Sequence, residues 1–183
     1  MNIKPTRGKV LGKILPSETQ SSSISIVKIG KQTPSRIGVI AVGAAMTGKK
    51  GKQIPVGAYV GDVVHVRKHS ALECKHNGKT YAFVRYDDIV ARETSKGLHA
   101  MRDMILVKTE YAKKEQMIII PDQAKQYKGE FAGRVVAVGP DYQHRVSVGD
   151  KIKFTRHEGV KVEYENEEYL ALKNKWVEAI EYE

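Results

Sequence analysis

Residues 38–52, GVIAVGAAMTGKKGK, carry an apolar run straight into Gly43-Ala44-Ala45-Met46-Thr47-Gly48-Lys49. A strand running into Gly-x-x-x-x-Gly-Lys is the spelling of a loop that cradles nucleotide phosphates, and it would imply an α/β nucleotide-binding fold. Three features reject that reading. Lys50 stands where a Ser or Thr should bind magnesium. Gly51, Pro55 and Gly57 break the helix that should follow. Without that helix no N-terminus is available to hold a phosphate. The segment is instead a strand followed by a glycine-rich, basic turn, and the rest of the chain must explain it.

The explanation is an internal repeat, which has to be sought before motifs are trusted. Gly38-Val39-Ile40-Ala41-Val42-Gly43 returns as Arg134-Val135-Val136-Ala137-Val138-Gly139. Arg7-Gly8-Lys9-Val10-Leu11-Gly12-Lys13 returns as Arg102-Asp103-Met104-Ile105-Leu106-Val107-Lys108, and Val60-Gly61-Asp62 as Val148-Gly149-Asp150. His69, Tyr81, Val84, Ile89 and Ala91 then fall on His157, Tyr169, Leu172, Val177 and Ala179. Blocks that recur in one order point to a tandem duplication, with halves 1–96 and 97–183 joined near Ser95-Lys96-Gly97-Leu98-His99.

Each half reads as short strands. Val-Gly-Asp marks a turn into an apolar alternation, and His76-Asn77-Gly78-Lys79 holds the Asn-Gly pair that a tight hairpin prefers. No long 3.6-residue apolar period occurs, and the region around Asp87-Asp88-Ile89 supports one helical turn at most. The expected fold is all-β: two tandem small antiparallel β-barrels. Between Gly43 and Gly61 the first half has 17 residues, against 9 between Gly139 and Gly149, so the second half should lack most of the turn quoted above. Two stretches resist assignment to strands, residues 17–35 and 110–130, each just before its Ala-Val-Gly strand. Loops this long in a compact domain are commonly functional. Each is polar around an apolar knot: Ile24, Ile26, Val27 and Ile29 in the first, Met117-Ile118-Ile119-Ile120-Pro121 in the second. A buried edge strand is the plain reading of such a knot; a flexible arm that docks into a partner's apolar groove is the sharper one.

Composition narrows the functional classes. With 41% hydrophobic and 28% charged residues the chain has a soluble, folded balance, and no apolar run approaches the ~20 residues that span a bilayer. Polar and basic residues follow Met1 directly, so a cytoplasmic protein is expected. The single Cys74 excludes an internal disulfide and a Cys-based zinc site. Net charge is +10 but lopsided: +11 in residues 1–96 and −1 in 97–183. A basic half suits a nucleic-acid partner, yet no aromatic residues interleave with Lys49, Lys50 and Lys52 to make a stacking platform. His65, His69, Cys74 and His76 lie close in sequence, but strand alternation sends neighbours to opposite faces. Glu163, Glu165, Glu167 and Glu168 read as a solvated hairpin without the apolar setting of a general acid. No catalytic site assembles, and a non-enzymatic protein is expected.

Taken in order, a first strand, a long segment with an Ile-rich knot, Val-x-Ala-Val-Gly, a variable hairpin, Val-Gly-Asp and a closing Glu-Glu-Tyr-Leu resemble the GroES-type co-chaperonin (chaperonin-10) family. The pattern occurs twice, as in the double-domain co-chaperonins of plastids, which makes the plastid stroma the alternative location if the chain is a processed form. The resemblance implies two GroES-like barrels, each with a mobile loop, in a ring-forming lid that caps an ATP-dependent chaperonin and encloses folding clients. It implies contact through Ile118, Ile119 and Ile120 flanked by Met117 and Pro121, and through Ile24, Ile26, Val27 and Ile29 of the less regular first copy. It implies a homo-oligomer or a ring mixed with single-domain co-chaperonins, no membrane, and no cofactor of its own, ATP being held by the partner. The alternative is a basic β-barrel module that binds nucleic acid.

Overall fold

The computed structural model describes residues 3–16, 35–48, 51–67, 69–110, 132–143, 145–154 and 159–181. The described residues form strands and short 3-10 turns, with no α-helix.

The first half builds β1 (Lys9–Ile14), β2 (Arg36–Val42), β3 (Met46–Thr47), β4 (Gln53–Ile54), β5 (Val63–Val66), β6 (Leu72–His76), β7 (Lys79–Arg85) and β8 (Ile89–Thr94), followed by β9 (Gly97–Ala100). The second builds β10 (Met104–Glu110), β11 (Ala132–Val138), β12 (Lys151–Phe154), β13 (Val160–Tyr164), β14 (Glu167–Lys173) and β15 (Val177–Glu181). Two antiparallel sheets result, in the orders β6-β7-β1-β2-β5-β8-β9 and β13-β14-β10-β11-β12-β15. Apart from β9 the two orders are the same, so the duplication legible in the sequence is a duplication of topology.

Irregularities repeat with it. The β1–β2 register slips between Leu11 and Gly12, and the β10–β11 register between Leu106 and Val107, the matching place. The β5–β8 slip at His65/Val66 recurs between β12 and β15 at Lys153/Phe154. A bulge bends its strand and raises the local twist, which is what a small curved sheet needs. Two bulges at matching places in two divergent copies are part of the fold.

The quoted turn is resolved as a small separate hairpin. β3 pairs with β4 (Met46↔Ile54, Thr47↔Gln53), and Gly48 donates its N–H to Lys52 O at 2.7 Å. Among the described residues that follow it, 51–67, there is no α-helix. The second half passes from Val138 to β12 without a matching pair of strands among its described residues.

Asn77 and Gly78 have φ of 49° and 72° in the β6–β7 hairpin, the left-handed pair that a twisted two-residue turn requires. The second half makes the same turn with Glu165 and Asn166, at φ 51° and 61°. Side chains there carry a steric cost that glycine lacks. Asn166→Gly should therefore stabilise the chain by about 0.5–1 kcal/mol, read as a higher denaturant midpoint at unchanged slope.

Each sheet encloses its own core. Val10, Ile37, Val39, Val64, Val66, Val84 and Ile89 fill the first, and Ile105, Val107, Val135, Ile152, Phe154 and Leu172 the second. A third cluster lies between the halves: Val90, Ala91 and Ala100 pack with Met104, Leu106, Val162 and Ala171. The junction itself is a hairpin, with β8 and β9 paired from Ala91↔Ala100 to Thr94↔Gly97. Arg102 reinforces it, donating to Asp87 Oδ1 at 2.7 Å and to Asp87 O at 2.6 Å while lying 5.0 Å from the Tyr86 ring centre. The halves are therefore joined by strand pairing, apolar packing and a bidentate cation.

Candidate functional site: the roots of the two long segments

All nine residues singled out as partner contacts, Ile24, Ile26, Val27, Ile29, Met117, Ile118, Ile119, Ile120 and Pro121, lie outside the described residues. The structure does place the strands from which both segments spring. The first leaves β1 at Ile14 and returns in β2 at Arg36, where Ile14 pairs with Ile37 and Leu15 N–H donates to Arg36 O at 3.0 Å. The second leaves β10 at Glu110 and returns in β11 at Ala132, and those two residues are paired. In both halves the segment therefore connects the same two neighbouring strands at the same end.

The root of the first segment is fixed by a polar cluster across three adjacent strands. Arg36 on β2 donates from Nε and Nη2 to the two carboxylate oxygens of Glu93 on β8, both at 2.8 Å. His65 on β5, only 3% exposed, lies with Nε2 2.7 Å from Glu93 Oε1. An ionised carboxylate can only accept, so Nε2 carries the donated hydrogen. Planar, two-point recognition of a carboxylate by arginine is the strongest form of such a pair. Burial opposes ionisation of Glu93, but the hydrogen bonds and charges of His65 and Arg36 outweigh it and lower its pKa from 4.5 to about 2.

The sign of the stability effect follows. A carboxyl whose pKa is depressed by folding adds stability above its unfolded value, and that stability fades as pH falls from about 4.5 toward 2. The contribution is on the order of 2–3 kcal/mol. Urea titrations of Glu93→Gln should show lower stability than the parent at neutral pH, with the gap closing through that acid window.

The second half solves the same problem at its surface. Lys108 Nζ donates to Glu167 Oε1 at 2.6 Å and Tyr169 Oη to Glu167 Oε2 at 2.7 Å, next to the strand end that launches the second segment. Burial, then the hydrogen bond and charge of Glu167, push the Tyr169 hydroxyl up to about 12. Lys151 and Lys153 approach Glu181, the counterpart of Glu93, at 3.2 and 3.5 Å.

Residues weighed for chemistry are spread apart or already engaged. His65 serves Glu93; Cys74 is paired with Tyr81 in the β6–β7 ladder, and His76 closes that hairpin opposite Lys79. Glu163 and Glu168 pair across β13–β14, where Lys161 meets Glu168 at 3.0 Å. Among the described residues no group of three or more His, Cys, Asp or Glu is placed to hold a metal. No helix among them is long and apolar enough to cross a membrane.

Sequence reasoning passed over the Arg36–His65–Glu93 cluster, whose members lie 28 and 57 positions from one another's partner. It also passed over the apolar joint between halves, for which a signal existed. Ile89-Val90-Ala91 and Met104-Ile105-Leu106-Val107 are unbroken apolar runs, the mark of strands buried on both faces.

The family model for the chaperonin 10 Kd subunit (Cpn10) matches the chain twice, over residues 2–92 and 97–181. Among curated relatives, the co-chaperonin GroES of Oleidesulfovibrio alaskensis is 40% identical over 92 residues, covering 50% of this chain and 97% of the relative. That of Corynebacterium kroppenstedtii is 35% identical over 92 residues, covering 50% and 93%. That of Geobacter sulfurreducens is 34% identical over 91 residues, covering 49% and 96%. One such relative spans about half of this chain.

Proposed function

Because the chain belongs to the chaperonin 10 Kd subunit family, matched once in each half, we propose that it works as a two-domain co-chaperonin, with domains 1–96 and 97–183, capping an ATP-dependent chaperonin through its two long segments. Family membership places it among chaperone subunits and not among enzymes, with a partner of the chaperonin type. The observation that carries the finer reading is the shared placement of residues 17–34 and 111–131, each strung between the same two strands of its sheet.

The contacts proposed are Ile118, Ile119 and Ile120 with Met117 and Pro121, and Ile24, Ile26, Val27 and Ile29. Burying an aliphatic side chain yields about 1.5–3 kcal/mol, and fixing the segment on a partner takes back a few kcal/mol. One segment is then a weak binder. Several on one ring combine through effective concentration, so a lid holds firmly yet releases when the partner changes shape. The nucleotide sits on the partner, and this chain needs none. Family membership does not favour a nucleic-acid module.

The test is co-sedimentation of the full chain with a chaperonin ring, with and without adenine nucleotide. Nucleotide-dependent capture, with a rise in client refolding yield, is the expected result. No capture under any nucleotide condition refutes the proposal.

A further inference from the structure

The two halves differ in charge at one spot where they should match. In the second half Lys108 and Tyr169 hold a carboxylate between them. Glu167, the first residue of β14, accepts from Lys108 Nζ through Oε1 and from Tyr169 Oη through Oε2. The bond from Lys108, and after it the bond from Tyr169, keep that carboxyl below the usual carboxylate range. Lys13 and Tyr81 occupy the matching positions in the first half, where they are direct partners in the β1–β7 ladder. The first residue of β7, however, is Lys79. A base stands where the second half has its acid.

The exchange leaves an open hollow of about 320 Å³ lined by Lys13, Ile40, Lys79, Thr80 and Tyr81. Lys13, Tyr81 and Lys79 share one face of the sheet, because cross-strand partners and residues two apart on a strand point the same way. Glu73, the acid of β6, is opposite Ala82 and belongs to the other face. Among the described residues no carboxylate pairs with Lys13, Lys79 or Tyr81. Two ammonium groups that repel each other and a phenolic hydroxyl therefore border one space, with Ile40 as its apolar wall.

We infer that this hollow receives an acidic side chain of the chaperonin, which supplies from outside the carboxylate that Glu167 supplies within the chain. Lys13 Nζ and Tyr81 Oη donate to it as their counterparts donate to Glu167, and Lys79 adds a second positive charge. The place suits a partner that grips the first segment, since Lys13 is one residue before Ile14, the end of β1 from which that segment leaves. It also suits the unequal segments. The first, whose apolar knot is interrupted by Ser25, gains a charged contact that the second cannot make, because Glu167 already fills the equivalent space. The inference rests on the proposed function for the identity of the partner, and on the duplicated geometry for the chemistry of the site.

The experiment compares the full chain with Lys79→Glu, which rebuilds the second half's bridge and fills the hollow from within, so its melting point should equal or exceed the parent's. Lys96→Glu, the same charge change in the exposed β8–β9 turn, is the control. Titration with acetyl-Gly-Glu-Gly-amide, followed by amide NMR, should give saturable shifts at Lys13 and Lys79–Tyr81 in the parent and the control. It should give none in Lys79→Glu, and none with the glutamine peptide. Co-sedimentation with a nucleotide-loaded chaperonin should weaken about fivefold per segment in Lys79→Glu, with a flatter salt dependence, and stay at the parent's level in Lys96→Glu. Absence of peptide shifts in the parent would overturn the inference, as would equal capture of parent and Lys79→Glu or equal loss in both variants. Shifts that arise only in Glu18→Gln would give the hollow to Glu18 of the same chain and overturn it too. Peptide binding by a parent that no chaperonin captures would refute the proposed function, and with it the partner named here.

Discussion

Replacing Ile118 and Ile119 together by aspartate should abolish capture by a nucleotide-loaded chaperonin and leave the melting curve of the free chain unchanged. Each substitution forfeits about 1.5–3 kcal/mol of aliphatic burial, and a carboxylate forced into an apolar groove adds a desolvation cost. Losing about 4 kcal/mol per segment is roughly a thousandfold in affinity, and on a multivalent ring the loss multiplies with the number of segments engaged. The paired change in the first half, Ile24→Asp with Ile26→Asp, should act in the same direction but less strongly. Its apolar positions are interrupted by Ser25, and no Pro follows them directly as Pro121 follows Ile120. Equal loss from both double variants would mean that the two segments contribute alike. No loss from the Ile118/Ile119 variant would remove these residues from the interface.

A second large effect is expected inside the β1–β2 and β10–β11 pairs. Just past the first bulge, Gly12 lies diagonally across from Ile37, and a Cβ at Gly12 would meet the Ile37 side chain and stand 2.5 Å from Gly38 O. At the matching place in the second half the roles are exchanged: Val107 supplies the bulk and Gly133 the gap, where a Cβ would stand 2.5 Å from Val107 Cγ1. One small and one branched residue are required, and either strand can provide either. Gly12→Val should cost about 1–3 kcal/mol or more by overpacking, and Ile37→Gly about 2–5 kcal/mol by opening the core. The double variant copies the second half's arrangement. Its loss should fall short of the sum by about 0.5–3 kcal/mol, measured by urea unfolding as a double-mutant cycle.

That exchange explains why so much of the fold was legible from sequence and why some was not. Ala-Val-Gly and Val-Gly-Asp survive in recognisable form because backbone geometry dictates them: left-handed φ at Gly61 and Gly149 in the turn, and close approach at the strand ends. A Cβ on Gly43 would press on Thr6 O and lie 3.0 Å from Lys9 O, and one on Gly139 would press on Arg102 O and lie 2.8 Å from Met104 O. Such positions spell themselves the same way twice. Compensated pairs such as Gly12/Ile37 and Val107/Gly133 do not, since only their sum is constrained.

The polar cluster at the first root and the joint between halves were hidden for a different reason. Arg36, His65 and Glu93 meet only once β2, β5 and β8 lie side by side, and nothing local marks any of them. The apolar runs at Ile89–Ala91 and Met104–Val107 were visible, but reading them as a second buried face required knowing that β9 folds back on β8. The partner-contact residues rest on sequence alone, because Met117–Pro121 and Ile24–Ile29 lie outside the described residues.

Amide hydrogen exchange over residues 17–34 and 111–131, in the free chain and with a nucleotide-loaded chaperonin, tests the central claim most directly. The account predicts that both stretches exchange fast in the free chain and gain protection on binding, greatest around Ile118–Ile120. Strong protection of both stretches in the free chain, unchanged when the chaperonin is added, would contradict it.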